Sequence, residues 1–269
     1  MQRIFEHRGC PLLCTVRGQG PVVLFIQGVG VHGEGWRPQV ESLAAHFTCV
    51  TFDNRGVGQS VPAAAPITVP QMADDARAVL DGLGIESAHV IGHSLGGLVA
   101  LQLALDARPR VRSLSLLCTF ASGTAAAPLT PRMIWLGLRS RVGTRKMRRR
   151  GFLAIIMPPG DLGDPEASAA ELAALFGHDL GDQLPIVDVQ LKAMRGTNLT
   201  ARLPALAGLP TLVMSAAHDP IAPPSVGRVM AAGIPGARYV EVTDASHGLP
   251  ITHAGWVNGE LLAHLGTIA

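Results

Sequence analysis

Charge is scarce in this chain: only 16% of its 269 residues are charged. The formal net charge of +2 gives no electrostatic argument for a nucleic acid or a membrane as partner. No apolar run is long enough to span a bilayer, and Met1 to His7 lacks the apolar core of a secretory signal. Cysteine is sparse too. Cys10 and Cys14 are close, Cys49 and Cys118 stand apart, and no second Cys or His pair completes a zinc site. The expectation is free thiols in a reducing cytoplasm and no metal. There is no internal repeat and no low-complexity linker. What is plentiful is apolar residues, at 48%. That suffices for a sizeable core in one large domain or a domain with an insertion.

The chain is organised around Val90-Ile91-Gly92-His93-Ser94-Leu95-Gly96-Gly97. An apolar run from Ala88 to Ile91 enters it, and a run of helical periodicity from Leu98 to Ala104 leaves it. Gly-x-Ser-x-Gly between a strand and a helix is the pattern of a serine held at the tip of a sharp turn. Gly92 and Gly96 let strand and helix approach without a Cβ clash. Ser94 Oγ would then be exposed above the sheet, with Leu95 N–H aimed at the same space, where it could stabilise an oxyanion.

Strands and helices alternate on either side. Strands are expected at Leu12 to Val16, Val22 to Ile26, Cys49 to Phe52, Val111 to Leu117, Pro210 to Met214 and Ala237 to Val242. Helices are expected at Pro38 to Phe47, Val69 to Leu83, Pro223 to Ala232 and Ile251 to Leu265, with an irregular loop at Pro62 to Pro66. The alternation predicts a mostly parallel sheet with helices on both faces. From Ala121 to Ala201 the pattern changes to helical pieces alone, at 131–138, 143–157, 166–176 and 187–194. This reads as a helical lid, giving core segments 1–120 and 204–269 around an insertion at 121–203. The lid carries Arg139, Arg141, Arg145, Lys146, Arg148, Arg149 and Arg150. A solvated helix face is the favoured reading of that run, and a grip on an acidic substrate the sharper one. Trp135 and the Ala, Leu and Met of the lid suit either an apolar substrate group or ordinary packing.

A serine hydroxyl needs a base, and the base needs an orienting acid. In a parallel sheet such groups gather beyond the carboxyl ends of the strands. His247 follows the last strand in a loop between Ser246 and Gly248, and Asp219 follows the strand before it. The order Ser94, Asp219, His247 is one known arrangement. His253 in the final helix is the weaker histidine, and Asp244 is too near His247 to be the first choice. Asp53 and Arg55 suit a structural ion pair around Gly56-Val57-Gly58. The second oxyanion donor should come from the loop after Ile26: Val29 N–H, with Gly28 as the alternative.

These residues resemble the α/β-hydrolase superfamily over nearly the whole chain. The likeness rests on Gln27-Gly28 after a strand, Asp53-x-Arg55-Gly56-x-Gly58-x-Ser60, Gly92-His93-Ser94-Leu95-Gly96-Gly97, and the Asp219 and Ser246-His247 loops. Residues 73–97 look most like the esterase and 3-oxoadipate enol-lactonase branch. The resemblance implies an eight-stranded, mostly parallel sheet, a helical cap between strands six and seven, and no cofactor. It marks Ser94 as nucleophile, His247 as base and Asp219 as acid. One departure is Gln27-Gly28, where many members carry His-Gly; the Gln27 amide would reshape the oxyanion loop or contact substrate. With Gln27, Gly28, His93 and Trp135 as candidates for the substrate pocket, the expected activity is hydrolysis of a small ester or lactone. The same triad on another bond (carbon–carbon, thioester, amide or perhydrolysis) and a non-hydrolytic binding protein are the alternatives. Monomer and homodimer both stay open.

Overall fold

A continuous apolar strand such as Val22 to Ile26 must bury both of its faces. In a computed structural model of the chain, describing residues 1–62, 67–126, 130–158, 160 and 163–268, it does so. Val23 and Phe25 pack into one core, Leu24 and Ile26 into the other. The expected irregular loop falls mainly on residues 63–66, which lie outside the described residues.

Among the described residues, eight strands form one sheet: β1 (Gln2–His7), β2 (Cys10–Arg17), β3 (Val22–Ile26), β4 (Thr48–Phe52), β5 (Ala88–His93), β6 (Val111–Leu117), β7 (Thr211–Ala216) and β8 (Arg238–Val242). Their order is β1-β2-β4-β3-β5-β6-β7-β8. β1 and β2 run antiparallel to their neighbours, and β4 through β8 are parallel. The residue patterns foresaw every strand but β1. It pairs along its whole length with β2, yet it is an edge strand with Ile4 more than half exposed, so it carries no buried alternation.

The helices on the core are α1 (Arg37–Leu43), α2 (Val69–Gly82) and α3 (Leu95–Asp106). Between β6 and β7 lie α4 (Pro131–Arg139), α5 (Arg145–Ile156), α6 (Pro165–Phe176) and α7 (Pro185–Arg195). The chain ends with α8 (Pro224–Gly233), α9 (Leu249–Thr252) and α10 (Ala254–Gly266). The single closing helix expected at 251–265 is thus two, broken at His253. Helix α3 is buried on all sides and α2 covers it with Val69, Met72, Ala76 and Leu80. Helices α4 to α6 share an apolar cluster that takes in Val31 from the loop after β3, and Ile221 and Ile251 pack against it.

Asp53 and Arg55 do not pair. Two residues apart, they diverge: Asp53 accepts Gly33 N–H at 2.8 Å, and Arg55 reaches α2 to make a bidentate pair with Asp75, at 2.8 and 2.7 Å. Both members are fully buried, 0% exposed on each side. The basic run is largely exposed, as a solvated helix face would be, and several of its members also pair with acids and carbonyls of the inserted segment. Arg141 bonds Asp188 at 2.6 Å, Arg145 pairs with Asp182, Arg149 with Asp179 and Glu166, Lys146 with Glu166, and Arg148 donates to Gly181 O at 2.7 Å.

All four cysteines are free and buried. Among the described residues no group of three His, Cys, Asp or Glu could hold a metal. Among them, too, no helix is long and apolar enough to cross a membrane.

Candidate active site

Strand β5 stops at His93 and α3 starts at Leu95, leaving one residue to reverse the chain. That residue, Ser94, has φ 54° and ψ −122°, a conformation that costs a non-glycine residue of the order of 1–3 kcal/mol. The surroundings hold it there. Ser94 N–H donates to Leu117 O at 3.0 Å, and its carbonyl accepts Thr119 Oγ1–H at 2.6 Å and Gly97 N–H at 3.0 Å. The glycines are obligatory for closeness: a Cβ on Gly92 would lie 2.4 Å from Gly96 O, and one on Gly96 would lie 2.0 Å from Ile26 O.

The structure brings Ser94, His247 and Asp219 into one chain of contacts. His247 Nε2 lies 3.0 Å from Ser94 Oγ, and His247 Nδ1 lies 2.7 Å from Asp219 Oδ2. All three are buried. A carboxylate only accepts, so Nδ1 carries the proton and Nε2 is left to accept from the serine hydroxyl. Asp219 Oδ1 takes Ile221 N–H and Ala222 N–H, both at 2.8 Å. Burial pushes this carboxyl up, but His247 beside it and those two donors outweigh burial and hold it below the usual carboxylate range. Asp244 lies apart from this arrangement, paired with His253 at 3.4 Å.

Three neighbours to which the sequence reading gave no such part, His93, Ser246 and Cys118, pack around the acid and the base. His93 Nε2–H donates to His247 O at 2.9 Å, and its ring lies 4.9 Å from the His247 ring. Burial, with His247 next to it, pulls His93 down to about 3, so it is neutral. Ser246 Oγ–H is shared between Ile155 O at 3.1 Å and His218 O at 3.2 Å, while Gly248 N–H donates to Ile156 O at 2.8 Å. The His247 loop is therefore tied to the end of α5. Cys118 stands at the end of β6 in a left-handed conformation, φ 45°. Burial, with Asp219 beside it, pushes its thiol far up, so it stays protonated. The bonds accepted by the carbonyls His247 O, from the His93 ring, and Ile156 O, from Gly248 N–H, join residues about 90 or more apart, and nothing in the local sequence signals them.

In the loop after β3, Gly28 and Val29 differ in whether their N–H groups are already taken. Gly28 N–H is taken by Gln27 Oε1 at 2.8 Å, Gly30 N–H by Gln190 Oε1 at 2.8 Å, and Val31 N–H by Gly28 O at 3.5 Å. Among the described residues, Val29 N–H has no protein acceptor. Leu95 N–H opens α3 and is unpaired for the same reason as any first helical donor. Gln27 thus shapes the loop, and its carbonyl is held by Asn54 Nδ2–H at 2.7 Å. Gly28 lies against the Ser94 side chain, where an added Cβ would be 3.3 Å from Ser94 Cβ. Trp135 is on the exposed side of α4, 54% accessible, with the Arg139 guanidinium 5.2 Å from its ring.

Known proteins place the fold. The model of the α/β-hydrolase fold family matches residues 21–254. A protein of Azorhizobium caulinodans named "Putative carbamate hydrolase RutD" is 31% identical over 98% of both chains. Among solved structures, a hydrolase from Pseudomonas aeruginosa PA01 superposes with a TM-score of 0.83 at 28% identity, covering 98% of each chain. The enol-lactonase from Burkholderia xenovorans LB400 does so with a TM-score of 0.82 at 26% identity, covering 98% of this chain and 100% of its own. From the match along its length and the eight-stranded sheet it folds into, the chain belongs to the α/β-hydrolase fold family and is a hydrolase.

Proposed function

We propose that the chain is a serine hydrolase that cleaves a carboxylic ester or lactone of a small, largely apolar substrate through an acyl-enzyme. The observation that carries this reading is the unbroken relay from Asp219 Oδ2 through both nitrogens of His247 to Ser94 Oγ, at 2.7 and 3.0 Å. In this mechanism Ser94 Oγ adds to the substrate carbonyl as His247 Nε2 takes its proton. Val29 and Leu95 N–H hold the oxyanion; one such donor is typically worth about 10²–10³ in turnover. The tetrahedral adduct collapses, and His247 gives its proton to the departing alkoxide. Water, deprotonated by His247, then attacks the acyl-enzyme and releases the acid and Ser94. No step calls for a cofactor.

The helices between β6 and β7 act as a cap, within 121–203, on a core made of 1–120 and 204–269. Support for this is that their apolar cluster meets each part of the site next to its functional residue: Val31 beyond Val29, Ile221 beyond Asp219, and Ile251 beyond His247. Such a lining favours an apolar acyl or ring group. Arg141, Arg145, Arg148 and Arg149 are engaged with the cap's own acids and carbonyls, which speaks against their gripping an acidic substrate. The buried free thiols are in keeping with a reducing cytoplasm.

A carbamate is the second reading, favoured by relatives 30–32% identical that carry that name. It uses the same attack at an acyl carbon. Intact-mass analysis after a fluorophosphonate probe tests both. The expected result is one adduct on the native protein, none on Ser94→Ala, and a turnover loss in that variant of about 10⁶-fold. A panel of esters, lactones and carbamates then separates the substrates. No adduct on folded native protein, or an adduct that survives Ser94→Ala, overturns the proposal.

A further inference from the structure

Helix α7 ends the inserted segment, yet one of its side chains reaches into the core. Gln190 is 0% exposed. Its Oε1 accepts Gly30 N–H at 2.8 Å, and its Nε2 donates to Arg55 O at 3.2 Å. The two partners fix the amide's orientation, because an N–H only donates and a carbonyl only accepts. One side chain therefore clasps the loop after β3 to the loop after β4. Gly30 has φ +70°, and a Cβ there would come within 3.0 Å of Val187 Cγ2, one turn before Gln190 on α7. The helix thus seats on Gly30 by packing and by a hydrogen bond at once.

Gly30 N–H is the donor next to Val29 N–H. Val29 N–H lies in the Gly28–Val29 peptide plane, whose carbonyl, Gly28 O, takes Val31 N–H at 3.5 Å. The bond to Gln190 fixes the next plane along, that of Gly30 N–H, and so restricts how far the Val29 plane can turn. Gln27 fixes the other side through Gly28 N–H. We propose that Gln190 is a positioning residue for the oxyanion hole: the cap, through this amide, aims Val29 N–H at the reacting carbonyl. The inference rests on the serine-hydrolase reading above. Losing Gln190 leaves substrate binding in place and weakens only the state in which the carbonyl oxygen is charged.

The test uses paired inhibitors. An aryl trifluoromethyl ketone adds Ser94 Oγ to its carbonyl carbon, gives the serine proton to His247 and places a charged oxygen in the hole. The matching methyl ketone binds without addition. Gln190→Met keeps the volume and removes both bonds; Gln190→Asn keeps an amide too short to reach Gly30. Each is expected to lower kcat at least about tenfold, part of the 10²–10³ that a lost donor costs. KM and the methyl ketone Kd are expected to stay within about twofold while the trifluoromethyl ketone Kd rises in step with kcat. Val187→Ala, which loosens the same seat without touching the hydrogen bond, is expected to leave the ratio of the two inhibitor constants unchanged. Equal losses for both ketones, an altered ratio in Val187→Ala, or an unchanged kcat in folded Gln190→Met and Gln190→Asn overturns the inference. A native enzyme that forms no hemiketal and shows no Ser94-dependent turnover overturns the serine-hydrolase reading instead, and this inference with it.

Discussion

His89 offers a clean measure of how the core responds to acid. It sits on β5, faces away from Ser94, and is 1% exposed. Its Nδ1 lies 2.8 Å from Ser113 Oγ, while its Nε2 is buried without a partner. Burial, with the positive charge of Arg112 and the nearby His264 ring, pulls His89 down from 6.5 to about 4. The unfolded chain therefore binds this proton at a pH where the native chain does not, and stability is lost as pH falls from about 6.5 toward about 4. With those two values, the loss is negligible at pH 7.5 and about 2 kcal/mol at pH 5. For a chain of 269 residues that is a difference in Tm of about 3–4 °C. The experiment is urea or thermal unfolding of the native protein and His89→Phe at both pH values, followed by circular dichroism. The variant is expected to be less stable at pH 7.5, since Ser113 loses its partner. Its further loss on going to pH 5 is expected to be about 2 kcal/mol smaller than that of the native protein. Comparing the two proteins cancels groups that titrate independently of His89, and a third protein, His264→Phe, separates the part that His89 shares with the nearby His264. Parallel pH curves would refute the reasoning, because they would mean that His89 binds its proton equally well folded and unfolded.

Two further outcomes follow from the charged groups. Asp219→Asn keeps the shape but presents an amide to His247 Nδ1, favouring the wrong tautomer; kcat is expected to fall by about 10⁴ with the fold intact by circular dichroism. Asp75→Asn leaves Arg55 buried without its counter-charge and is expected to cost about 3–5 kcal/mol of unfolding free energy, read from urea melts, with the residual folded enzyme retaining its KM.

What the sequence made legible is what neighbouring residues decide. Strand, turn and helix around Ser94 are adjacent in the chain, and the clash that excludes any residue but glycine at 92 and 96 acts across four or five residues or against the next strand. The positions of Asp219 and His247 followed from the rule that side chains gather beyond the strand ends, and the sheet order brings those ends together. Where local spacing was asked to decide a long-range partner, it misled. Asp53 and Arg55 are close in the chain with opposite charges, but Arg55 bonds Asp75, twenty residues on, because α2 presents a carboxylate at 0% exposure just where the guanidinium ends. Strand β1 escaped because an exposed edge strand has no buried face to impose alternation.

The oxyanion loop shows the same division within five residues. Its place after β3 was readable, and Val29 was preferred to Gly28 there, but the sequence showed no physical difference between their two N–H groups. The distinction lies in which N–H groups are already taken, and two of the takers are side chains: Gln27, its immediate neighbour, and Gln190, about 160 residues away on an inserted helix. A departure from the usual His-Gly at 27–28 thus has a physical reading. A glutamine caps its own following N–H and keeps the loop's first donor out of the site, leaving the donor at Val29 to be aimed from the other side. If Val29 N–H holds the oxyanion as proposed, exchanging the helices between β6 and β7 for those of a relative is expected to change turnover even where substrate contacts are preserved, because the exchange removes the bond from Gln190 to Gly30.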